Sequence, residues 1–464
     1  MLSTHLVTEK TFWIQLIALF LSAVSLQGLW LNPSKGLCPW TYVDILPLSL
    51  LGLILLSYPY SIHPEPEKLL FIGQMVVLWY LLRQVFHEYP VLIGYFSMFF
   101  IATADEPAVD PTPEPPIEQP VEKTPDERIN DIIADMSIEE KVGQLFFVRC
   151  PETGAAEDVE TYHLGGLLLF GRDYKDANGD WLTEDDFTAA LASYQAAAAI
   201  PLFIGSDEEG GTVTRASKNP NLFSEPLPSP QELYAAGGLD GLLERTLSYN
   251  QKLKAFGVNV NFAPVCDVST NPDNFIYARS FGQDAQTTAD YISSVVPVYA
   301  QSGVACVLKH FPGYGNNADT HTGIALDARP YTTFEKSDLV PFESGIAAGA
   351  PFVLVSHNIV ECMDGAYPAS LSAKVHTLLR DTLGFTGVIV TDDLAMDAVK
   401  AYAQDGSAAV LAIQAGNDMI VTTDYQTQIP QVIAAVQSGE IAESDIDAHV
   451  FRVLHEKQAL GLID

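Results

Sequence analysis

Positive charge is what this chain most lacks. Its 464 residues carry 24 Lys and Arg against 58 Asp and Glu, a formal net charge of −34. A surface of that sign repels phosphate backbones and gains nothing from the counterion release that drives nucleic-acid binding, which argues against nucleic acid as a partner. Cysteine is sparse too. Cys38, Cys150, Cys266, Cys306 and Cys362 are odd in number, widely spaced and form no CxxC pair. That pattern excludes a dense disulfide framework and reads the thiols mostly as small buried apolar side chains. No His/Cys/Asp cluster stands at metal-ligand spacing, so the sequence calls for no metal and no cofactor.

Charge of either sign is nearly missing from the first quarter, where residues 1–104 hold four cations (Lys10, Lys35, Lys68, Arg83) and five acids. Residues 11–31 run without a charged side chain, long enough as a helix to cross ~30 Å of hydrocarbon. Residues 45–62, 69–82 and 91–104 are further apolar runs, so three or four transmembrane helices are expected, with the lipid bilayer as partner of this segment. A second reading stays open: residues 91–101 as a signal-peptide core, followed by the small-x-small cleavage pattern Ala102-Thr103-Ala104. Either route leaves the remainder membrane-anchored or secreted, outside the cytoplasm.

From 105 to 127, seven prolines and eight acids accompany a single lysine. Without apolar periodicity, such a stretch is expected to be a disordered or polyproline-like linker. The third region, 128–464, changes character. Short β-branched or apolar runs at 144–148, 166–170, 202–205, 258–262, 304–308, 352–355, 387–390 and 419–422 alternate with helix-length amphipathic stretches at 186–199, 239–256, 287–302 and 374–383. Repeated βα units of this kind predict a parallel sheet, and eight of them predict a closed (β/α)8 barrel of the α/β class.

Such a barrel builds its site from the loops after the C-terminal strand ends. Five runs end in polar residues: Ser206-Asp207-Glu208-Glu209-Gly210-Gly211, Pro264 to Asp267, Lys309-His310, Ser356-His357-Asn358 and Thr391-Asp392-Asp393. Any one of these could be a solvated loop charge. Five arriving at one mouth is the pattern of an enzyme.

The residues then become recognisable. Lys309-His310-Phe311-Pro312-Gly313-Tyr314-Gly315, Asp319-Thr320-His321 and Thr391-Asp392-Asp393-Leu394-Ala395-Met396 resemble glycoside hydrolase family 3 over roughly residues 128–464. Asp207-Glu208-Glu209-Gly210-Gly211, Asn261 to Asp267 and Arg279-Ser280-Phe281-Gly282 are similar to the family's other motifs, in the family's order. The Asp-x-His element resembles its β-N-acetylhexosaminidase branch. Tyr314 departs from that branch, which usually has a second His there.

The resemblance implies a retaining, exo-acting hydrolase of terminal β-linked N-acetylglucosamine in glycans or cell-wall fragments such as those of peptidoglycan turnover. Retention needs a carboxylate to trap the anomeric carbon and a proton donor for the leaving oxygen. Asp392 is expected as the nucleophile, with Asp393 bracing the loop. His321 is expected as acid/base, because an imidazole exchanges a proton near neutral pH, and Asp319 would hold its tautomer. The resemblance makes Asp207, Arg279, Lys309 and His310 the sugar-binding set. Asp267 and His357 could touch substrate or anchor loops. Alternatives at this stage are a phosphorylase or β-glucosidase of the same family, a non-catalytic wall-binding barrel, and a membrane transporter or sensor.

Overall fold

The computed structural model describes residues 123–316, 325–396, 399, 402 and 407–464. The candidate membrane or signal region, all but the last five residues of the linker, and the Asp319 and His321 positions lie outside these described residues. Among the described residues no helix is long and apolar enough to cross a membrane.

The first helix among the described residues, α1 (Pro125–Asp135), starts inside the stretch whose composition reads as linker. Thr124 and Glu127 form a capping box, and Pro125 occupies the first helical turn, where its missing N–H costs nothing. Prolines and acids that look like a solvated tether are here the start signal of a helix. The second helix, α2 (Ile138–Gln144), repeats the device with Ser137 and Glu140.

Eight parallel strands follow: β1 (Phe146–Arg149), β2 (Gly166–Leu169), β3 (Phe203–Ser206), β4 (Val260–Asn261), β5 (Ala305–Phe311), β7 (Phe352–Val355), β9 (Val388–Thr391) and β10 (Ile420–Thr422), hydrogen-bonded in the order β10-β1-β2-β3-β4-β5-β7-β9. A short side pair, β6 (Leu326–Asp327) with β8 (Ile359–Val360), stands apart. A parallel bridge between Val390 and Met419 joins β9 to β10 and closes the ring. Every predicted run overlaps a strand, and the four predicted amphipathic stretches overlap helices at Glu184–Ala197, Pro230–Phe256, Ala285–Ser302 and, continuing into a wider turn, Ala373–Thr377. The strands read as continuous apolar runs because helices cover one face and the barrel interior covers the other.

That interior is filled by size complementarity. Phe147 of β1 stacks on Phe203 of β3 at 6.1 Å between centroids, and Phe203 meets Phe352 of β7 at 5.3 Å. These strands are not neighbours in the sheet, so the rings meet across the barrel. Gly205 leaves the space they need: a Cβ there would sit 2.7 Å from the Phe147 ring. At the opposite end from the site, Lys457 of the last helix, α3 (Glu443–Ala459), is fully buried, donates to Gln144 Oε1 at 2.6 Å and lies 5.2 Å from the Phe203 ring centroid. Burial pushes its ammonium down to about 7.

The sign of this effect is testable. Between pH 7 and the ordinary lysine range the unfolded chain binds more protons than the folded one, so stability from this group rises with pH. Thermal melts of the wild type and Lys457→Met across pH 7 to 9.5 should show the wild type gaining on the variant as pH rises. A gap that is constant with pH refutes the shift.

Candidate active site

All eight strands run parallel, so their C-terminal ends open on one face. From β3 comes Glu209, whose side chain is 1 % exposed. It receives Arg279 through two bonds (Nε to Oε2, 2.9 Å; Nη2 to Oε1, 2.7 Å) and Lys309 Nζ at 2.6 Å. Burial alone would raise this carboxyl. Lys309 and Arg279 outweigh that and hold it far below the usual carboxylate range. Lys309 also donates to Asp207 Oδ1 at 2.8 Å. Arg279 Nη2 lies 2.9 Å from His310 Nε2, and His310 Nδ1 lies 2.7 Å from Asp267 Oδ2. Guanidinium can only donate, so Nε2 accepts and Nδ1 carries the proton that Asp267 receives. The four residues expected to bind sugar are thus one connected network. Its centre, Glu209, and its anchor, Asp267, were not among them.

Neighbouring loops are fixed in the same way. Glu208 is buried and accepts from Arg215 N (2.6 Å), Ser217 N (3.0 Å) and Ser217 Oγ (2.7 Å), folding the loop after β3 back on itself; burial pushes its carboxyl up to about 7. Tyr314 N donates to Asp267 Oδ1 at 2.7 Å, and the Tyr314 ring meets His310 edge-on at 5.1 Å. The residue that departs from the usual His is therefore part of the wall behind His310.

Asp392 stands one residue beyond β9, half-exposed, with its N–H on the Val355 carbonyl (3.1 Å) and its Oδ1 accepting from Asp393 N (2.8 Å). Asp393 turns the other way. It accepts from Ala395 N at 2.9 Å, and burial raises its carboxyl, as does the charge of Asp392. His357 Nε2 donates to the Asp393 carbonyl at 3.0 Å while its Nδ1 meets Ser370 Oγ at 2.7 Å. Asp393 and His357 therefore brace the loop that presents Asp392.

The segment carrying Asp319 and His321 has both its flanks on one ion cluster. Arg329 contacts Asp327 through Nε (3.0 Å) and Nη2 (2.7 Å) and Asp338 through Nη1 and Nη2 (3.0 Å each), with its guanidinium 4.3 Å from the Phe334 ring centroid. Gly315, at φ +54°, lies flat on that guanidinium: a Cβ there would stand 2.3 Å from the Arg329 Cζ. Gly313, at φ +118°, is packed as closely on Asp338. Both glycines allow close approach of backbone to an ion pair.

Comparison with known proteins decides the family. The family described as glycosyl hydrolase family 3 N terminal domain matches residues 137–455. The chain belongs to glycosyl hydrolase family 3. Beta-hexosaminidase LpqI of Mycobacterium tuberculosis is 31% identical over 335 residues, 69% of this chain and 83% of the relative. A Beta-hexosaminidase of Nitrosomonas eutropha is 33% identical over 279 residues, 59% of this chain and 78% of the relative. Among solved structures, a glycoside hydrolase family 3 beta-N-acetylglucosaminidase from Paenibacillus sp. matches with a TM-score of 0.65 at 32% identity, covering 70% of this chain and 63% of that one. This family-3 chain therefore spans less than two thirds of the length of that structure.

Two outcomes follow for the family-3 barrel. Glu209→Ala leaves Lys309 and Arg279 short of their buried anion and should cost about 3–5 kcal/mol in chemical denaturation. Because the folded-state pKa of Glu209 is depressed, the gap to wild type should narrow as pH falls below the carboxylate range. Gly315→Ala forces a side chain onto Arg329 at positive φ, at a cost of about 1–3 kcal/mol. It should also lower turnover at least tenfold; unchanged turnover would show that the flank does not position the segment.

Proposed function

We propose that the barrel is a retaining, exo-acting β-N-acetylhexosaminidase that removes terminal β-linked N-acetylglucosamine from glycans or cell-wall fragments. What supports the reading most is the Glu209-centred network of Asp207, Arg279, Lys309 and His310 at the same strand ends as Asp392. Relatives named beta-hexosaminidase point the same way. Lysine and arginine donate to hydroxyls, and a carboxylate accepts from two at once. A neutral sugar with several hydroxyls suits that mixture.

In the proposed reaction the Asp392 carboxylate attacks the anomeric carbon as His321 gives its proton to the departing glycosidic oxygen. This leaves a covalent glycosyl-enzyme. Water then attacks the same carbon, His321 takes its proton, and Asp392 is released. Asp319 holds the imidazole in the required tautomer. On this reading the enzyme works outside the cytoplasm, membrane-anchored or secreted; the apolar composition of residues 1–104 and the acidic, proline-rich stretch after them support that location.

Release of nitrophenol from its β-N-acetylglucosaminide by the purified full-length protein tests the reading. Asp392→Ala should lower the rate at least a thousandfold. His321→Ala should spare dinitrophenyl substrates, whose leaving group needs little protonation, far more than alkyl ones. A glycosyl phosphate formed in phosphate buffer would move the assignment to a phosphorylase. Faster release from the glucoside would move it to a β-glucosidase.

A further inference from the structure

Nearly every cation at the barrel mouth is committed. Arg279 and Lys309 are held by Glu209 and Asp207, and Arg172 by Glu152 (2.6 Å), Asp173 (3.3 Å) and the Cys150 carbonyl (2.5 Å). Arg149, the last residue of β1, is different. Among the described residues no carboxylate or carbonyl stands at ion-pair or hydrogen-bond distance from it, although its charge acts on the Asp173 carboxyl; its Nε is buried and unpartnered, and its guanidinium lies 4.3 Å from the Phe170 ring centroid. Arg215, from the loop after β3, approaches the same ring at 5.6 Å. Its Nη2 is 3.6 Å from Asp207 Oδ2, and its Nε is also buried without a partner. The neighbouring Thr214 hydroxyl, 1 % exposed as a residue, is unpartnered too.

Three consecutive strands supply this group: Arg149 ends β1, Phe170 follows β2 directly and Arg215 lies in the loop after β3. It therefore opens on the same face as the sugar-binding network, to which Asp207 links it. A buried donor without an acceptor is costly to leave unmatched. A guanidinium stacked on a ring keeps the N–H groups along its edge free and aligned for a two-point bond to an oxyanion. In a chain of net charge −34, two arginines converging on one ring at the site are a specific feature rather than a general surface charge.

We propose that Arg149 and Arg215, seated on Phe170, form a subsite for an oxyanion carried by the sugar substrate: a carboxylate, or a sulfate or phosphate ester. The subsite rests on the carbohydrate reading of the mouth and narrows its substrate class to sugars with an anionic substituent.

The test compares kcat/KM for nitrophenyl β-N-acetylglucosaminide and its 6-sulfate in the full-length wild type, Arg149→Met and Arg149→Lys. N-acetylglucosamine and the carboxylated N-acetylmuramic acid serve as competing inhibitors. The wild type should favour at least one charged ligand over its neutral counterpart tenfold or more, and which one separates ester from carboxylate. Arg149→Met should reduce that ratio at least tenfold, mainly through KM or Ki, and Arg149→Lys should keep part of it. A wild type that cleaves the neutral glycoside but shows no preference overturns the subsite alone, as does a preference that Arg149→Met leaves intact. A wild type that cleaves neither glycoside overturns the glycosidase reading. Calorimetric titration of the two charged sugars into wild type and Arg149→Met then decides the subsite, binding lost in the variant supporting it and equal or absent binding overturning it.

Discussion

The Glu209 carboxylate is the interaction on which the mouth of this barrel depends. It is enclosed, yet it stays ionised because Arg279 and Lys309 both reach it, and each of those is thereby aimed at a second partner. Lys309 turns to Asp207 and Arg279 to His310. One buried anion so sets the orientation of four side chains from three strand ends. Isolated, any of these charges would be expensive to bury; joined, they keep their geometry without help from a ligand. The network is consequently built without any ligand in place.

The same principle recurs with different membership. Arg329 gathers Asp327 and Asp338 beneath the loop after β5, and Asp418 gathers Arg380, His449 and Arg452 at the end away from the site. An acid-rich chain with few cations places several of them inside, where each is shared by two acids or shares one with its neighbours. Among the described residues Arg149 stands out against this economy because no acid is within ion-pair distance of it.

Most of the fold was legible because parallel strands buried on both faces leave continuous apolar runs, and because helices of ten residues or more keep their amphipathic stripe. The boundaries moved where local rules compete. β1 begins at Phe146 rather than 144 because the capped helix α2 runs on to Gln144, and β5 continues past 308 through Lys309 and His310, so polar site residues are themselves strand. Helix α1 was hidden by composition, since proline and acids serve a tether and a helix start equally. In the site, motif order exposed Asp207, Arg279, Lys309, His310 and Asp392. Glu209 escaped because its partners lie 70 and 100 residues away in sequence, and a second acid in a loop carries no local mark of burial. Asp267, read as touching substrate or anchoring a loop, proves an anchor, holding the backbone N–H of His310 and Tyr314. Asp319 and His321 remain readings of sequence.

The closing of the ring has a temporal meaning. β10 is the last stave to be synthesised, and it alone stands between β9 and β1. Leu394 N donates to the Val421 carbonyl and Val421 N to Thr391 Oγ1, so the turn that carries Asp392 gains its second wall only from residues near 421. A nascent chain holds every member of the Glu209 network, residues 207 to 310, before the residues that wall the Asp392 turn exist. Synthesis thus supplies the two groups of side chains in a fixed order, the ion network first and the second wall of the Asp392 turn last.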